Sequence, residues 1–160
     1  MKIIYDNYIA IFAIIALLLL AIVLLSGEGK ERFAPRRLLT QNEEEFFGRI
    51  VRALPEFYVF PQVAFRAFLR PGVASGTKAY ARQSGKIGAK HCDFIICDRR
   101  LDIVAIVELD DRTHIYEKDA ARDAMTASAG YTTIRYESRQ KPTESEIRDD
   151  IGALFKPKQF

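Results

Sequence analysis

Cysteine and histidine are scarce in this chain, which has two of each among 160 residues. Cys92 and Cys97 lie five positions apart on one predicted strand, so they point to opposite faces of that strand. This arrangement excludes a local disulfide bond and a paired-cysteine metal knuckle. We therefore expect both thiols to be small, buried core residues in a compartment that keeps them reduced.

Accessory recognition modules are also missing from the sequence. It contains no internal repeat, and no zinc-ribbon or helix-turn-helix segment that would supply sequence-specific binding. A net charge of +3 does not by itself indicate a partner. From about Phe33 onward the composition is that of one ordinary domain, which is large enough to bury a core.

Acidic residues are absent between Glu56 and Asp93, whereas basic residues recur throughout that interval. The basic residues are Arg66, Arg70, Lys78, Arg82, Lys86 and Lys90. Several glycines predict that much of the interval is a flexible loop. A basic loop of this kind suits a polyanion whose phosphates lie near a metal ion, although charged runs are more often plain solvated loops.

No charged residue interrupts the apolar run from Ile9 to Leu25. With its neighbours the run approaches the ~20 residues that cross a ~30 Å hydrocarbon core, and it exceeds the ~7–15 apolar residues of a signal peptide. No A-x-A-like cleavage site follows, so it predicts a retained transmembrane helix at about residues 8–26. Basic residues concentrate just after the run, and the positive-inside bias places the rest of the chain in the cytoplasm. The predicted divisions are an anchor at 1–30, a basic linker at 31–37 and an α/β domain at 38–160.

Hydrophobic periodicity predicts further helices and strands around a central hairpin. Thr40 to Leu54 predicts a helix with a Thr40–Glu43 capping box, which gives Glu43 a structural role. Phe57 to Phe65 predicts a strand in which Pro61 favours an edge position or a bulge. The remaining predicted elements are a helix at 115–129, a strand at 131–136 and a closing helix capped by Thr143 and Glu146.

The segment HCDFIICDRRLDIVAIVELDDRTH, residues 91–114, predicts two buried strands joined by a charged tight turn. Antiparallel pairing across that turn sets Asp93 directly opposite Glu108. The same register pairs Ile95 with Ile106 and Cys97 with Val104. Opposed carboxylates have Cβ atoms about 4.5–5.5 Å apart and repel each other unless a cation neutralises them. Asp110 projects from the same face as Glu108, so three acids converge there; the alternative is that they simply end two strands in solvent.

The order helix, strand, strand, strand, helix, strand, with an acid on the second strand and E-x-D on the third, resembles the core of the PD-(D/E)XK nuclease superfamily. The block VELDDRTH, followed by KDAARD and AGYTTIRYE, is similar to the branch that contains the very-short-patch repair endonucleases. Together with LLTQNEEEFF, FPQVAF and KHCDFIICD, these blocks most resemble an uncharacterised bacterial domain family often found behind a single membrane helix. The resemblance spans residues 38 to about 151. It implies an α/β fold with a restriction-endonuclease-like core behind one transmembrane helix, held in the bilayer of the bacterial inner membrane.

The resemblance also implies a role for each matching position. Asp93 and Glu108 correspond to the metal-binding acids, and Glu43 to the acid that the first helix often contributes. Asp110 stands where the common motif has lysine, so it cannot supply positive charge but could bind a metal or accept a proton. His114 matches the histidine that takes part in the chemistry of the repair branch.

These positions predict a membrane-anchored nuclease that hydrolyses phosphodiester bonds of DNA or RNA with Mg²⁺ or Mn²⁺. Asp93 and Glu108 would hold the ion, and His114 or Asp110 would orient or deprotonate a water molecule. The candidate residues for binding nucleic-acid phosphates are Lys90, Arg82, Lys86, Arg122 and Arg135. Two alternatives stay open: an inactive nucleic-acid-binding module, and a tethered interaction protein that neither binds nor cuts nucleic acid.

Overall fold

A computed structural model describes residues 2–25, 32–110 and 116–155 of the chain. The chain divides into two compact units, Met1–Arg36 and Arg37–Phe160. The first unit contains helix α1, which covers Lys2–Leu25. The second unit contains the sheet and all of the candidate site residues that the structure describes.

The prediction of a transmembrane helix at residues 8–26 is wrong. Over the described ranges, no helix combines the length and the apolar character that crossing a membrane requires. A span needs ~20 consecutive apolar residues. The fold class is therefore corrected to α/β with no such span in the described residues.

The described part of the second unit contains four α-helices and four strands. They are α2 (Gln41–Ala53), β1 (Tyr58–Ala64), α3 (Lys78–Gly88), β2 (His91–Cys97), β3 (Ile103–Asp110), α4 (Tyr116–Ser128), β4 (Thr133–Glu137) and α5 (Glu144–Leu154). A short 3-10 turn, Phe65–Ala67, follows β1. The α/β class that the sequence predicts is confirmed.

The four strands form one mixed sheet in the order β1-β2-β3-β4. β1 pairs antiparallel with β2, and β2 antiparallel with β3, whereas β3 and β4 are parallel. β1 lies at an edge of the sheet, which is where a strand containing Pro61 is tolerated because proline has no N–H to donate. The predicted edge position is therefore confirmed.

The β2–β3 hairpin keeps its predicted register at the end away from the turn. Ile95 pairs with Ile106, as predicted. Towards the turn the register shifts and Cys97 pairs with Ile103, so the predicted pairing of Cys97 with Val104 is wrong. The irregularity is confined to the turn end of the hairpin. The acids lie at the other end, where the register is unchanged.

α2 and α5 pack on the sheet through the first of two hydrophobic clusters. Its fully buried side chains include Phe46 and Ile50 of α2, Phe94 of β2, Val107 of β3 and Ile151 of α5. Both helices begin with the predicted capping boxes, Thr40 with Glu43 and Thr143 with Glu146. A cap of this kind typically contributes about 1 kcal/mol to stability.

The second hydrophobic cluster gathers around the 3-10 turn and α3. It contains Phe65, Ile87, Ile95 and both cysteines. Cys92 and Cys97 are 0% and 4% exposed, which confirms that they are small buried core residues. Both side chains contribute to this cluster.

The basic interval between β1 and β2 is not simply a flexible loop, which corrects that prediction. It contains α3, whose first turn is capped by Thr77: the Thr77 Oγ1 accepts a 3.0 Å hydrogen bond from the N–H of Tyr80. α3 buries Ile87 in the second cluster. Its glycines, Gly85 and Gly88, conceal the helical pattern in the sequence. This helix also separates β1 from β2, so three strands do not follow one another directly as predicted.

Candidate functional site

A row of polar residues crosses the sheet from one edge to the other. The register of β1 with β2 is the same on both sides of Gln62, which places Gln62 level with Asp93. Phe94 of β2 pairs with Val107 of β3, and continuing this register by one residue places Asp93 level with Glu108. Glu108 pairs in turn with Arg135 of β4. Each strand therefore contributes one residue, and the two central ones are the predicted metal-binding acids.

Asp93 is bonded to the strand beside it rather than pointing into solvent. Its Oδ2 accepts a 2.9 Å hydrogen bond from the backbone N–H of Leu109. Burial raises the pKa of Asp93, the Leu109 bond lowers it, and repulsion from Glu43 raises it again, with a net increase. The Asp93 carboxyl group is therefore partly buried and close to other acids, including Glu43.

Glu108 is the most deeply buried acid of the row, with 4% of its surface exposed. Burial raises the pKa of its carboxyl to about 8, and repulsion from Asp93 contributes to the increase, whereas the guanidinium of Arg122 opposes it. Perturbed acids of this kind concentrate in functional sites, although structural ion pairs also produce them. The sheet thus holds two coupled carboxyl groups that resist being ionised together.

Arg122 reaches this pair from α4. Its Nη2 donates a 2.6 Å hydrogen bond to Glu108 Oε1 and a 3.0 Å hydrogen bond to the carbonyl of His91. The guanidinium carbon lies 5.8 Å from the ring centroid of Phe65, and 19% of the side chain is exposed. The protein therefore places one of its own cations against its most buried acid.

Asp110 and Arg135 form a second ion pair next to the first. Arg135 Nη1 lies 2.9 Å and 2.8 Å from the two carboxylate oxygens of Asp110. Arg135 also binds Asp123 of α4, with Nη2 2.9 Å from Oδ1 and Nε 3.2 Å from Oδ2. One guanidinium thus joins β3, β4 and α4 beside the row.

Glu43 approaches the row from α2. Its Oε2 accepts a 2.6 Å hydrogen bond from the N–H of Thr40, which completes the capping box. Its Oε1 accepts a 3.0 Å hydrogen bond from Nε2 of Gln62. The predicted capping role is therefore confirmed, and the same carboxylate also connects α2 to the edge strand.

Two carboxylate oxygens of the polar row are available to bind a cation. Asp93 Oδ1 and Glu108 Oε2 accept no hydrogen bond from any residue that the structure describes. Within the described ranges, no group of three His, Cys, Asp or Glu side chains could hold a metal ion. Mg²⁺ commonly takes one or two carboxylates and keeps several waters, so a pair of carboxylates fits it. The described residues do not provide the four-ligand set of a structural zinc site.

Of the two histidines, the structure describes His91 but not His114. His114 lies outside the described residues, so its predicted place beside the acids stays a prediction. The side chain of His91 is exposed, and only its backbone carbonyl contacts Arg122.

Three basic residues form a stripe along α3, which we call the α3 stripe: Lys78, Arg82 and Lys86. Their spacing of four residues places them on one side of the helix, and all three are exposed. None of them pairs with a carboxylate in the part of the chain that the structure describes. Lys90, just beyond α3, is half-buried.

A family model described as "Protein of unknown function (DUF2726)" matches residues 35–154. The chain belongs to the DUF2726 family. No curated protein and no solved structure matches it. The predicted membership of an uncharacterised domain family is therefore confirmed. The matched range contains all four strands and the polar row, so the candidate site lies within the DUF2726 domain.

Two features of this DUF2726 site escaped the sequence analysis. Gln62 carries no pattern that sets it apart from other polar strand residues, so nothing in the sequence points to its contact with Glu43. The pairing of Arg122 and Arg135 with acids of β3 is the second feature, and their predicted binding of phosphate stays a prediction. The excess of acids at the end of β3 was the available signal, because buried carboxylates need a partner.

Proposed function

We propose that this DUF2726 protein is a metal-dependent nuclease that hydrolyses phosphodiester bonds of DNA or RNA. The observation that carries the proposal is the pair Asp93 and Glu108. These acids lie level on neighbouring buried strands, and each has one oxygen that no described residue occupies. Two like charges in such positions are unfavourable unless a cation joins them. The likeness of VELDDRTH to PD-(D/E)XK nucleases supports the same chemistry.

In this proposal Asp93 and Glu108 would hold Mg²⁺ or Mn²⁺ through their carboxylate oxygens. When bound, the ion polarises a phosphoryl oxygen and lowers the pKa of a bound water. The Leu109 N–H limits rotation of the Asp93 carboxylate, because it holds Oδ2. Glu108, whose pKa is about 8, has to lose its proton before it can act as a ligand.

Arg135 supplies the positive charge that the lysine of the common motif would supply. Asp110 takes the place of that lysine and holds Arg135 through both carboxylate oxygens. In this arrangement Asp110 orients the guanidinium, and the guanidinium contacts the phosphate. Because Asp110 is already ion-paired, His114 would remove the proton from water, since an imidazole group can accept a proton near neutral pH.

The α3 stripe supports a nucleic acid as the substrate. Its three cations are exposed and free of carboxylate partners among the described residues, so they are open to phosphate groups. α3 packs against the same cluster as Phe65, and Phe65 in turn lies under Arg122. Met125 of α4 packs against the same cluster, so α3 and α4 lie on one side of the sheet, and in this proposal a bound strand would contact both the stripe and the acids.

An inactive nucleic-acid-binding module is the second candidate function. The ion pairs favour it, because Arg122 lies 2.6 Å from Glu108 and Arg135 lies 2.8 Å from Asp110. If these internal cations neutralise the acids permanently, no metal ion is needed and the basic surface still binds phosphates. The two candidates differ in whether Asp93 and Glu108 bind a metal ion.

A cleavage assay on the full chain separates the candidates. Plasmid, single-stranded DNA and RNA are incubated with Mg²⁺, Mn²⁺ or a chelator. The nuclease proposal predicts metal-dependent cleavage that is lost in Asp93→Asn and Glu108→Gln. Asp149→Asn, at an exposed position on α5, is the matched control and should cut like the wild type. Binding without cleavage supports the inactive module, and the absence of both contradicts the two candidates.

A further inference from the structure

Gln62 has an unusual backbone conformation for a residue within a strand. Its φ is 52°, and the only other non-glycine residue with positive φ in the described ranges is Leu101, with φ 67° in the hairpin turn. The left-handed region is unfavourable for most non-glycine residues, and such strain concentrates where a side chain has to be aimed. The strain at Gln62 is therefore consistent with a specific role for its side chain.

The strand changes its orientation at this residue. Val59 packs against the first hydrophobic cluster and Val63 against the second, although regular alternation would put both on one face. The pairing register with β2 is nevertheless unchanged across Gln62. The positive φ thus redirects the chain without inserting a residue, and it leaves Gln62 level with Asp93.

The redirected side chain contacts an acid on another element. Gln62 Nε2 lies 3.0 Å from Glu43 Oε1. The second capping box of the chain shows that a cap does not need this contact, because its Glu146 accepts hydrogen bonds from Thr143 alone among the described residues. The hydrogen bond from Gln62 is therefore not part of the capping box, and it fixes the Oε1 atom of Glu43.

We propose that Gln62 is a positioning residue that fixes the Glu43 carboxylate beside the Asp93–Glu108 pair, so that Glu43 adds negative charge to the cation site without being a direct ligand. Gln62 lies level with Asp93 on the neighbouring strand, so the carboxylate that Gln62 holds lies near that acid. Glu43, Asp93 and Glu108 do not form a three-ligand cluster in the described structure, which is why the role is one of charge and orientation. This inference rests on the cation-binding part of the proposed function.

The test compares Gln62→Gly with Leu101→Gly in the full chain. Both substitutions remove left-handed strain, so both variants should unfold at a temperature equal to or above that of the wild type. Mn²⁺ affinity, measured by calorimetry, should fall about fivefold in Gln62→Gly and stay unchanged in Leu101→Gly. Gln62→Asn tolerates the same φ but is one methylene shorter, so it should lose affinity as Gln62→Gly does.

A third variant links the effect to Glu43. If Gln62 acts through that carboxylate, Gln62→Gly should weaken Mn²⁺ binding in the wild type but not further in Glu43→Gln. Unchanged Mn²⁺ affinity in Gln62→Gly, or an equal loss in Leu101→Gly, would overturn the positioning role and leave the cation site intact. Failure of the wild-type chain itself to bind Mn²⁺ would overturn the cation site, and the role of Gln62 with it.

Discussion

Arg122 Nη2 lies 2.6 Å from Glu108 Oε1, and this contact ties α4 to the most buried acid of the sheet. A metal ion bound to Glu108 would therefore lie close to the guanidinium of Arg122. The contact therefore has two roles: it stabilises the fold, and it competes with or assists the binding of a cation. The stability and the metal affinity of variants can separate these roles.

Arg122→Met should destabilise the domain strongly. It leaves the buried carboxyl group of Glu108 without its hydrogen-bond donor, and a buried polar group that loses its partner typically costs about 1–3 kcal/mol. Urea unfolding at neutral pH measures the loss. Arg52→Met is the matched control, because Arg52 pairs with Glu144 on the surface and its loss should cost less than about 1 kcal/mol. Equal losses in the two variants would contradict a special role for the buried pair.

Glu108 should make the stability of the wild type depend on pH. Its native pKa of about 8 is above the ordinary value, so the native state binds more protons than the unfolded state at intermediate pH. The contribution of Glu108 is fully present below its ordinary pKa, and it is lost as the pH rises through about 8. Between these values the free energy of unfolding should fall by about 1 kcal/mol per pH unit.

Glu108→Gln should remove most of this dependence, since glutamine has no proton to lose. Urea titrations at several pH values between 5 and 9 provide the comparison. Glu56→Gln, at an exposed position before β1, should keep the wild-type dependence. A pH profile that is the same in all three proteins would show that Glu108 titrates like an exposed acid.

The parts of the fold that sequence analysis predicted well are those with local signals. The capping boxes of α2 and α5 are readable because threonine and glutamate lie three residues apart before an apolar stripe. The pairing near the acids follows the prediction although the register shifts next to the turn, because the shift is confined to Ile96/Cys97. α3 was missed because it buries only Ile87 among its described residues, so its periodicity is weak.

The ion pairs were not predictable for a different reason. Arg122 meets Glu108, and Arg135 meets Asp123, only because α4 docks on the sheet at a particular place. Such docking depends on long-range packing rather than on the spacing of residues in the chain. The contact between Gln62 and Glu43 likewise depends on the positive φ of Gln62, which the sequence around Pro61 does not predict.

Both thiols should be unreactive in the folded protein. Burial raises the pKa of Cys92 to about 12 and also raises that of Cys97, so little thiolate is present at pH 8. A thiol reagent such as dithionitrobenzoate should label neither residue until urea unfolds the domain, when both should react. Rapid labelling of one thiol without denaturant would show that the second cluster opens on its own.

Binding of Mg²⁺ or Mn²⁺ should strengthen as the pH rises towards 8. Glu108 binds a proton below its pKa of about 8, and the metal has to displace that proton. The apparent affinity for Mn²⁺ should therefore fall by up to about tenfold for each pH unit below 8. Calorimetry at pH 6, 7 and 8 measures it, and proton release in buffers of different ionisation enthalpy provides a second reading. An affinity independent of pH would exclude Glu108 as a ligand.

The α3 stripe should set the salt dependence of nucleic-acid binding. Each phosphate contact releases condensed counterions, so removing one contact should lower the slope of log affinity against log salt by about 0.9 for duplex DNA. Arg82→Glu, at the centre of the stripe, should lower both the slope and the affinity, the latter by about tenfold at low salt. Arg139→Glu makes the same charge change at an exposed position after β4, so it controls for the loss of net positive charge. If DNA contacts α3, the affinity and the slope should fall in Arg82→Glu and not in Arg139→Glu. If only net charge attracts DNA, both variants should lose the same affinity.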